Sequence, residues 1–455
     1  MARRTAPEPP QAPWRVTRRE LLKVGGVATA GLLVGCPDAP PTARTFGDCC
    51  QQPADAGVDA GSLDGSDEDR RRAEDAAAQD GNADGAQEDA RIDAGSAVDP
   101  PPPVVLLQLS DVHIGAQPYA LSAFTVALGG ILPTLQPALT LITGDLVDDG
   151  EQDSQWQAYR DALDAAGVVA TGVLEVPGNH DAKGDADLVR YLAQSLTGQA
   201  CGGAFGLRDL VVNGRRIRLI AVNTAAGGSW ARNLTGYLPT EQVDAVLADL
   251  ALAPVADHTL IVGHHPLEGA TGLAILNTDV ELRRLIAATD AEAYLFGHTH
   301  QPRMSWDGRC LAGQASTLGN PTLINNAPGF GLLSLDDGVN LRHVPLLKNG
   351  DVAEADWPLV LITRPAHAEL GGFNPRARTL PRGASQQLLR ALVVSPQVPD
   401  EVSWQIDGGS WSAMARLGDH YQARFDCPDA AGCTVTVRVR AVGHTRQDSV
   451  RIRLA

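Results

Sequence analysis

Two histidines separated by one residue, His298 and His300, follow a glycine and the apolar run Ala293–Phe296. The apolar run predicts a buried strand, and the glycine frees the backbone at the end of that strand. In an extended chain, side chains at positions i and i+2 point the same way, with Cα atoms about 6.5–7 Å apart. This spacing suits two metal ions about 3.5–4 Å apart better than one ion. It therefore predicts ligands for a metal pair.

The same organisation recurs along the chain, because short polar motifs stand directly after several predicted strands. In open α/β folds, active sites assemble at the C-terminal ends of the strands. One such motif is a weak signal, but five in succession are a strong one. The motifs are Ser110-Asp111-Val112-His113, Thr143-Gly144-Asp145-Leu146-Val147-Asp148, Pro177-Gly178-Asn179-His180-Asp181, Val262-Gly263-His264-His265-Pro266 and Gly297-His298-Thr299-His300.

Carboxylate and imidazole side chains occur together in these motifs. Mixed donors of this kind suit Mn²⁺, Fe or Zn²⁺, whereas Ca²⁺ prefers oxygen ligands alone. Two neighbouring dications need bridging anions to offset their repulsion, and Asp145 is the natural candidate, with a shared hydroxide as the second bridge. Such a hydroxide forms near neutral pH and can attack phosphorus in line while the metals stabilise the phosphoryl oxygens.

The ordered set DxH, GD, GNHD, GH and GHxH resembles that of the calcineurin-like metallophosphoesterase superfamily, over roughly residues 104–347. The resemblance implies a sandwich of two β-sheets flanked by helices, with a dinuclear metal centre. It implies that the first metal is bound by Asp111, His113 and His300, that Asp145 bridges both metals, and that the second site is completed by Asn179, His264 and His298.

Three further residues stand close to predicted ligands in these motifs: His180, Asp181 and His265. His180 follows Asn179 directly, so it cannot easily face the same metal from an extended backbone. The resemblance implies that His180 donates a proton to the leaving oxygen or stabilises transition-state charge, with Asp181 orienting its ring. Two roles stay open for His265: contact with substrate phosphate, or support of a ligand from behind.

One position departs from the purple acid phosphatases, which resemble this domain but carry a tyrosine ligand three residues after the bridging aspartate. Here that position is Asp148, so no Fe(III)–tyrosinate is expected. The stretch 144–150 is more similar to the branch that contains class III cyclic-nucleotide phosphodiesterases. Substrate specificity would come from three loops: Ala225–Thr235, Glu268–Asn277 and Leu318–Pro328.

The elements that position these motifs alternate between strands and helices from Val104 to about Lys348. This alternation is typical of an α/β domain, predicted here over residues 104–348. Beyond Asp356 only short period-two runs occur, without a helical pattern. They predict an all-β sandwich of immunoglobulin-like or fibronectin-like type over residues 356–455.

Most of the net charge of −17 comes from one tract, since residues 37–100 hold 16 acids and 5 bases. The tract has too little apolar surface to offset the entropy of ordering, so residues 37–103 are predicted to be a disordered linker. The sequence has no basic stripe and no lysine-rich helix, so no nucleic-acid-binding surface is expected.

The first 36 residues have the pattern of an export signal. Thr17–Lys23 resembles a twin-arginine motif, and the weakly apolar stretch Val24–Gly35 is too short to span a bilayer. The stretch ends at Leu33-Val34-Gly35-Cys36, which resembles the lipobox of bacterial lipoproteins. These features predict a signal peptide over residues 1–36 and a protein exported to the bacterial cell envelope, where lipidated Cys36 anchors it to the membrane.

Six cysteines remain besides Cys36, and an even number outside the cytoplasm permits disulfides. Cys427 and Cys433 flank a short turn and are the predicted pair. A pair of Cys201 with Cys310 has no support from spacing, and the pairing of the adjacent Cys49 and Cys50 is open.

The sequence as a whole predicts a metal-dependent phosphoric ester hydrolase that acts on a small substrate, with a phosphodiester or nucleotide favoured over a protein phosphate. A broad-specificity phosphomonoesterase is the alternative enzyme. The alternative of another class is a non-catalytic envelope binding protein, against which the presence of every expected ligand argues. The native metals and the oligomeric state are open.

Overall fold

The structure is a computed structural model that describes residues 99–267, 278–320, 327–349, 352–441 and 443–455. The predicted signal peptide, the linker up to residue 98, Cys36, Cys49 and Cys50 lie outside the described residues. So do the loop Glu268–Asn277 and residues 321–326 of the third predicted specificity loop.

The described residues up to Ala355 form strands and helices that alternate, as predicted. In chain order they are β1 (Val104–Leu109), α1 (Pro118–Val126), a π-helical turn (Ala127–Ile131), α2 (Leu132–Leu135), β2 (Leu139–Thr143), α3 (Asp153–Ala165), a 3₁₀ turn (Ala170–Gly172), β3 (Val173–Val176), α4 (Val189–Gln194), α5 (Leu196–Cys201), β4 (Gly206–Val212), β5 (Arg215–Ala221), α6 (Trp230–Thr235), α7 (Thr240–Leu250), β6 (His258–Val262), α8 (Thr278–Thr289), β7 (Ala293–Phe296), β8 (Arg303–Asp307), β9 (Cys310–Gln314), β10 (Gly329–Leu335), β11 (Val339–Asn349) and β12 (Val352–Ala355).

These strands form two six-stranded sheets. The first has the order β12-β11-β10-β1-β2-β3, and the second has the order β4-β5-β6-β7-β9-β8. Strands β1, β2 and β3 are parallel, as are β5, β6, β7 and β9, so their C-terminal ends meet at one edge of each sheet. The predicted hairpin β4–β5 is present, and its turn residues Asn213 and Gly214 both have positive φ, as a two-residue hairpin turn requires.

The two sheets pack face to face around an apolar core. Side chains such as Leu106 of the first sheet and Leu260 and Leu295 of the second are fully buried in it. Helices α1 and α3 cover the outer face of the first sheet, and α7 and α8 cover that of the second. The predicted sandwich of two sheets flanked by helices is therefore confirmed.

The continuous helical segment Pro118–Leu135 is apolar and long enough, by composition alone, to cross a membrane. It instead behaves as a core helix, because Tyr119, Ala123 and Phe124 are buried against the first sheet.

The C-terminal region contains only strands among its described elements. They are β13 (Leu359–Arg364), β14 (Thr379–Leu380), β15 (Gln387–Val394), β16 (Glu401–Ile406), β17 (Ser412–Ala413), β18 (Ala415–Leu417), β19 (His420–Phe425), β20 (Gly432–Ala441) and β21 (His444–Leu454). One sheet has the order β13-β15-β19-β18 and the other β14-β21-β20-β16-β17. The two sheets share a buried core. The β-rich character of this region matches the prediction, while its immunoglobulin-like type stays a prediction.

A buried ion pair joins the two parts of the chain. Arg390 of β15 is 1% exposed and places its Nη1 3.1 Å from Oδ2 of Asp336, which follows β10. Arg390 also donates to the backbone carbonyls of Pro100 and Pro101, at 2.9 and 3.0 Å. The residues just before β1, at the end of the predicted linker, are therefore held against this pair.

The predicted disulfides are wrong for the cysteines that the structure describes. Cys427 and Cys433 are both buried free thiols; Cys427 follows β19 of one sheet, and Cys433 lies on β20 of the other. Cys310 is also a free thiol and Cys201 is disulfide-bonded, so these two do not pair with each other.

Candidate dinuclear metal centre

The five polar motifs meet at the shared edge where β1, β2, β3, β6 and β7 end. Backbone hydrogen bonds tie their loops together: Asp111 N–H donates to the Gly144 carbonyl at 3.0 Å, and His113 N–H donates to the Asp145 carbonyl at 2.9 Å. Within the second sheet, Gly297 N–H after β7 donates to the His264 carbonyl after β6 at 3.0 Å. The parallel strands thus bring together residues that are almost 190 positions apart.

Five of the predicted ligands adopt a backbone conformation that L-residues rarely adopt. The φ angle is 49° at Asp111, 46° at His113, 53° at Asp145, 76° at His298 and 62° at His300. Each such residue costs about 1–3 kcal/mol, and such strain is found mainly at functional sites. The extended geometry predicted for His298 and His300 is therefore wrong, because both residues, which follow β7, have a left-handed backbone conformation.

The first group of ligands consists of Asp111, His113, Asp145 and His300, whose donor atoms all lie within 4.8 Å of one another. His113 Nε2 is 3.1 Å from His300 Nε2 and 3.5 Å from Asp145 Oδ2. His300 Nε2 is 3.4 Å from Asp111 Oδ1. All four residues are buried.

The second group shares Asp145 with the first. His264 Nε2 lies 3.2 Å from Asp145 Oδ2 and 3.1 Å from Asn179 Oδ1. His298 Nδ1 lies 2.9 Å from the same amide oxygen. The structure therefore brings together all seven predicted ligands, with Asp145 between the two groups.

The donor chemistry of these groups fits bound cations. His264 Nδ1 lies 2.8 Å from the Thr143 carbonyl, and His300 Nδ1 lies 2.7 Å from the Asn320 carbonyl. A neutral ring that donates from Nδ1 to a carbonyl has only a lone pair at Nε2. In both rings that lone pair points at other lone pairs: His264 Nε2 faces the Asn179 and Asp145 oxygens, and His300 Nε2 faces His113 Nε2. A cation between such atoms would bind them all and remove their repulsion. Buried carbonyls behind metal-binding histidines are typical of such sites.

The charges in the centre also favour a bound cation. Burial disfavours the charged form of Asp145, but the nearby His264, His180 and His113 outweigh it and hold the pKa of Asp145 well below its usual range. Burial lowers the pKa of His264, yet the Asp145 carboxylate more than offsets this and raises that pKa to about 9. Without a metal ion, His264 is therefore protonated beside Asp145, and a bound cation would replace that proton. Asp145 thus keeps a negative charge at the point shared by both groups.

Two glycines in the motifs are required by close approach rather than by a turn. A Cβ atom at Gly178 would lie less than 3.0 Å from Oδ1 of Asp145. A Cβ atom at Gly297 would lie equally close to Ser110 Oγ and Asp111 Oδ2. Any side chain at these positions would push a ligand carboxylate out of place.

His180 stands at the rim of the centre, and its predicted partner is wrong. Its Nδ1 lies 2.5 Å from the backbone carbonyl of Asp148 and 3.6 Å from the Asp148 carboxylate. The same carboxylate lies 3.2 Å from His113 Nδ1. Asp148, not Asp181, therefore orients His180, and the only sequence signal for it is its place in the GDxxD stretch.

Asp181 has a different position, buried beneath the loops. Its carboxylate accepts hydrogen bonds from the N–H groups of Leu146 at 2.9 Å, Val147 at 3.1 Å and Gly178 at 2.8 Å. Burial and the negative charge of Asp145 raise the pKa of Asp181 to about 7. Asp181 therefore joins the loop that carries Asp145 to the loop that carries Asn179.

His265 is fully buried, which decides between the two roles left open for it. Its Nδ1 lies 2.8 Å from the hydroxyl of Thr224, and its ring centroid lies 4.5 Å from that of His298. Burial lowers the pKa of His265 well below its usual range. His265 therefore packs against His264 and His298, has a ring nitrogen within 4.8 Å of theirs, and does not line the pocket.

A pocket of about 490 Å³ opens over the centre. It is lined by Ala116, Gln117, Asp145, Asp148, Asn179, His180, Leu234, His298, Thr299, His300 and Asn320. Ligands from both metal groups and the ring of His180 thus face the same cavity.

The fold and the site together define a two-sheet α/β sandwich with a carboxylate–imidazole metal centre at its strand ends. Residues 104–302 match the family described as calcineurin-like phosphoesterase. The chain therefore contains a calcineurin-like metallophosphoesterase domain, and members of this family use divalent metals.

Several curated proteins are similar to the chain. A mouse protein named Transmembrane protein 62 is 25% identical over 335 residues, which cover 68% of this chain and 48% of that protein. A probable cyclic nucleotide phosphodiesterase of Rhodococcus erythropolis is 27% identical, covering 45% of this chain and 67% of that protein. A cAMP/cGMP dual specificity phosphodiesterase of Mycobacterium tuberculosis is 28% identical, covering 45% and 64%. The chain thus spans about half to two thirds of the length of these relatives.

Proposed function

We propose that this protein hydrolyses a phosphodiester of a small organic alcohol or nucleoside at a dinuclear metal centre. The observation that carries the proposal is the pair of ligand groups that share Asp145 and face one pocket beside His180. Two bound divalent cations would polarise the phosphoryl oxygens and lower the pKa of a water nucleophile. Mn²⁺, Fe and Zn²⁺ all suit this donor set.

The protein's own residues would hold the metals and would donate a proton to the leaving group. Asp145 keeps its charge between the two groups, and Asp148 fixes the rings of His113 and His180. A His180 ring that donates from Nδ1 to the Asp148 carbonyl leaves Nε2 as the ring nitrogen that can face the substrate. His180 would use this atom to give a proton to the departing alkoxide.

The charge of the pocket favours a diester over a monoester. Among the described residues that line it, none is lysine or arginine, whereas two are aspartates. The segments 268–277 and 321–326, outside the described residues, contain no lysine or arginine in their sequence either. A phosphomonoester carries almost two negative charges at neutral pH and a diester only one. With the bound cations as the only positive charges against two aspartates in the described lining, the diester needs less neutralisation than the monoester. The similarity to proteins named as cyclic nucleotide phosphodiesterases supports the same substrate class.

The test uses the full chain, stripped of metal and reloaded with Mn²⁺. Hydrolysis of bis(p-nitrophenyl) phosphate is compared with that of p-nitrophenyl phosphate. We expect a higher kcat/KM for the diester, with His180→Ala lowering kcat about 10²–10⁴-fold while two Mn²⁺ ions remain bound. Asp145→Ala should lose both activity and metal, and His444→Ala, at an exposed position, is the matched control.

The outcomes separate the alternatives. A preference for the monoester would establish the phosphomonoesterase instead. Two bound metals without turnover of either ester would favour a non-catalytic binding protein.

We also propose that the protein is exported and held at a bacterial membrane by a lipid on Cys36. The support is the order of the twin-arginine motif, the apolar stretch and the lipobox in the sequence. In a bacterial host the full chain should label with palmitate and partition with membranes, and Cys36→Ser should abolish both. Cys427→Ser, which replaces a free thiol, is the matched control, and membrane association unaffected by Cys36→Ser would contradict the proposal.

A further inference from the structure

The segment from Ala225 to Tyr237 runs past the metal centre and is fixed at both ends. Tyr237 N–H donates to the Thr224 carbonyl at 2.7 Å, and Ala225 and Tyr237 pair as an isolated β-bridge. Within the loop, the buried side chain of Asn233 accepts a hydrogen bond from Gly227 N–H at 2.8 Å. Side chains carried by this segment are therefore held in place relative to the site.

This anchored loop presents two large apolar side chains to solvent. Trp230, the first residue of α6, is 43% exposed, and Leu234 is 44% exposed. Residues four apart lie on the same face of a helix, so the two side chains are neighbours. Exposing them costs hydrophobic free energy that burial would recover, which points to an occupant other than water.

Leu234 belongs to the lining of the pocket, and Trp230 contacts His180, another residue of that lining. The Trp230 ring packs edge-to-face on the His180 ring, with centroids 5.4 Å apart. Leu234 lines the pocket itself. His180 is the proposed donor to the leaving oxygen, so an organic group attached to the phosphorus would lie beside Trp230. An indole ring held in place is a stacking surface for a nucleobase or another planar ring.

We propose that Trp230 and Leu234 form the wall that receives the planar ring of the substrate, and that the substrate class is a phosphodiester of a nucleoside. The inference rests on the proposed function, because it takes the metal centre as the site of the phosphate. The pocket volume is within the range of about 300–1,000 Å³ that is usual for small-molecule sites.

The experiment measures binding and does not need turnover. Isothermal titration of the Mn²⁺-loaded full chain compares AMP with ribose 5-phosphate, two ligands that differ only by the base. Chromatography confirms that AMP is intact after the titration. We expect AMP to bind at least about tenfold more tightly than ribose 5-phosphate, since stacking of one base on an aromatic ring is worth about 1–3 kcal/mol.

Substitutions of Trp230 then test whether its indole ring causes the difference in affinity between AMP and ribose 5-phosphate. Trp230→Leu keeps apolar bulk without a planar face and should weaken AMP about tenfold, with ribose 5-phosphate unchanged. Trp230→Phe should retain most of the AMP affinity. Phe373→Ala removes an exposed aromatic side chain of the C-terminal region and should change neither ligand.

Equal affinities of the two ligands for the unmodified chain would overturn the inference. So would a loss of both ligands to the same extent in Trp230→Leu, because that result would assign Trp230 to support of His180 or the loop. Base-dependent binding without hydrolysis of any diester would support the inference while overturning the proposed catalytic function, so the two failures are distinguishable.

Discussion

Gly297 is the position where the smallest possible change should damage the metal centre. Its φ angle is not in the left-handed region, so alanine fits the backbone and the effect of Gly297→Ala is steric. The new Cβ atom would lie less than 3.0 Å from both Ser110 Oγ and Asp111 Oδ2. Ser110 donates to this Asp111 oxygen at 2.6 Å, so the two groups must move together.

The size of the effect follows from how far Asp111 must retreat. An ordinary contact begins near 3.4 Å, so the carboxylate moves by several tenths of an ångström to about 1 Å, and shifts of that size cost about 10²-fold at sites that require precise geometry. We therefore expect Gly297→Ala to weaken Mn²⁺ binding about 10–100-fold, equivalent to about 1.4–2.7 kcal/mol. The ion that binds more weakly should be the one held by Asp111, His113 and His300.

The assay is a competition titration of Mn²⁺ against a chelating dye, which resolves two binding events per chain. Gly172→Ala is the matched control, because a Cβ atom there meets nothing within 4 Å. Ser110→Ala removes the hydroxyl donor to Asp111 without adding volume and should have a smaller effect. Thermal unfolding of the metal-free proteins verifies that each variant is folded. Two ions bound to Gly297→Ala with unchanged affinity would refute the reasoning.

Three further predictions concern stability. Burial lowers the pKa of His343 to about 4 in the folded chain, whereas the unfolded value is 6.5. Between pH 6.5 and 4, His343 is therefore protonated in the unfolded chain and neutral in the folded chain. Stability contributed by the neutral ring is present above pH 6.5 and is lost between pH 6.5 and 4, by about 3 kcal/mol. His343→Gln should flatten this part of the urea-unfolding profile, whereas the exposed control His444→Gln should not. Arg390→Met removes one of three arginine partners of the buried Asp336 carboxylate, since Arg364 and Arg215 remain, and should cost about 1–3 kcal/mol in urea unfolding. The exposed control Arg416→Met should cost under about 0.5 kcal/mol. Removal of metal by EDTA should lower the Tm by several degrees, and added Mn²⁺ should restore it, because the ions bind only the folded chain. An unchanged Tm would mean that the described ligands hold no metal.

The sequence determined the elements of the sandwich and the ligands because both are recorded locally. Apolar runs bounded by Gly, Asn and Asp define strands such as β6 and β7, and each polar motif begins where its strand ends. Parallel strands bring those ends to one edge of each sheet, so strand direction alone places Asp111 near Asp145 in the first sheet and His264 near His298 in the second. The meeting of the two pairs depends on how the sheets pack. The hairpin turn at Asn213-Gly214 was also predictable, because the preference of these two residues for positive φ is a local property.

The tertiary structure decided which neighbours each ligand has. Adjacency in sequence suggested that Asp181 orients His180, but the Asp181 carboxylate accepts from three backbone N–H groups, and Asp148 lies at the His180 ring instead. The burial of His265 depends on Thr224, and the place of Trp230 depends on a loop closed by Tyr237. Cys427 and Cys433 flank one turn yet join the core from different sheets as free thiols. Such contacts depend on backbone twist and on residues far away along the chain, which no local pattern records.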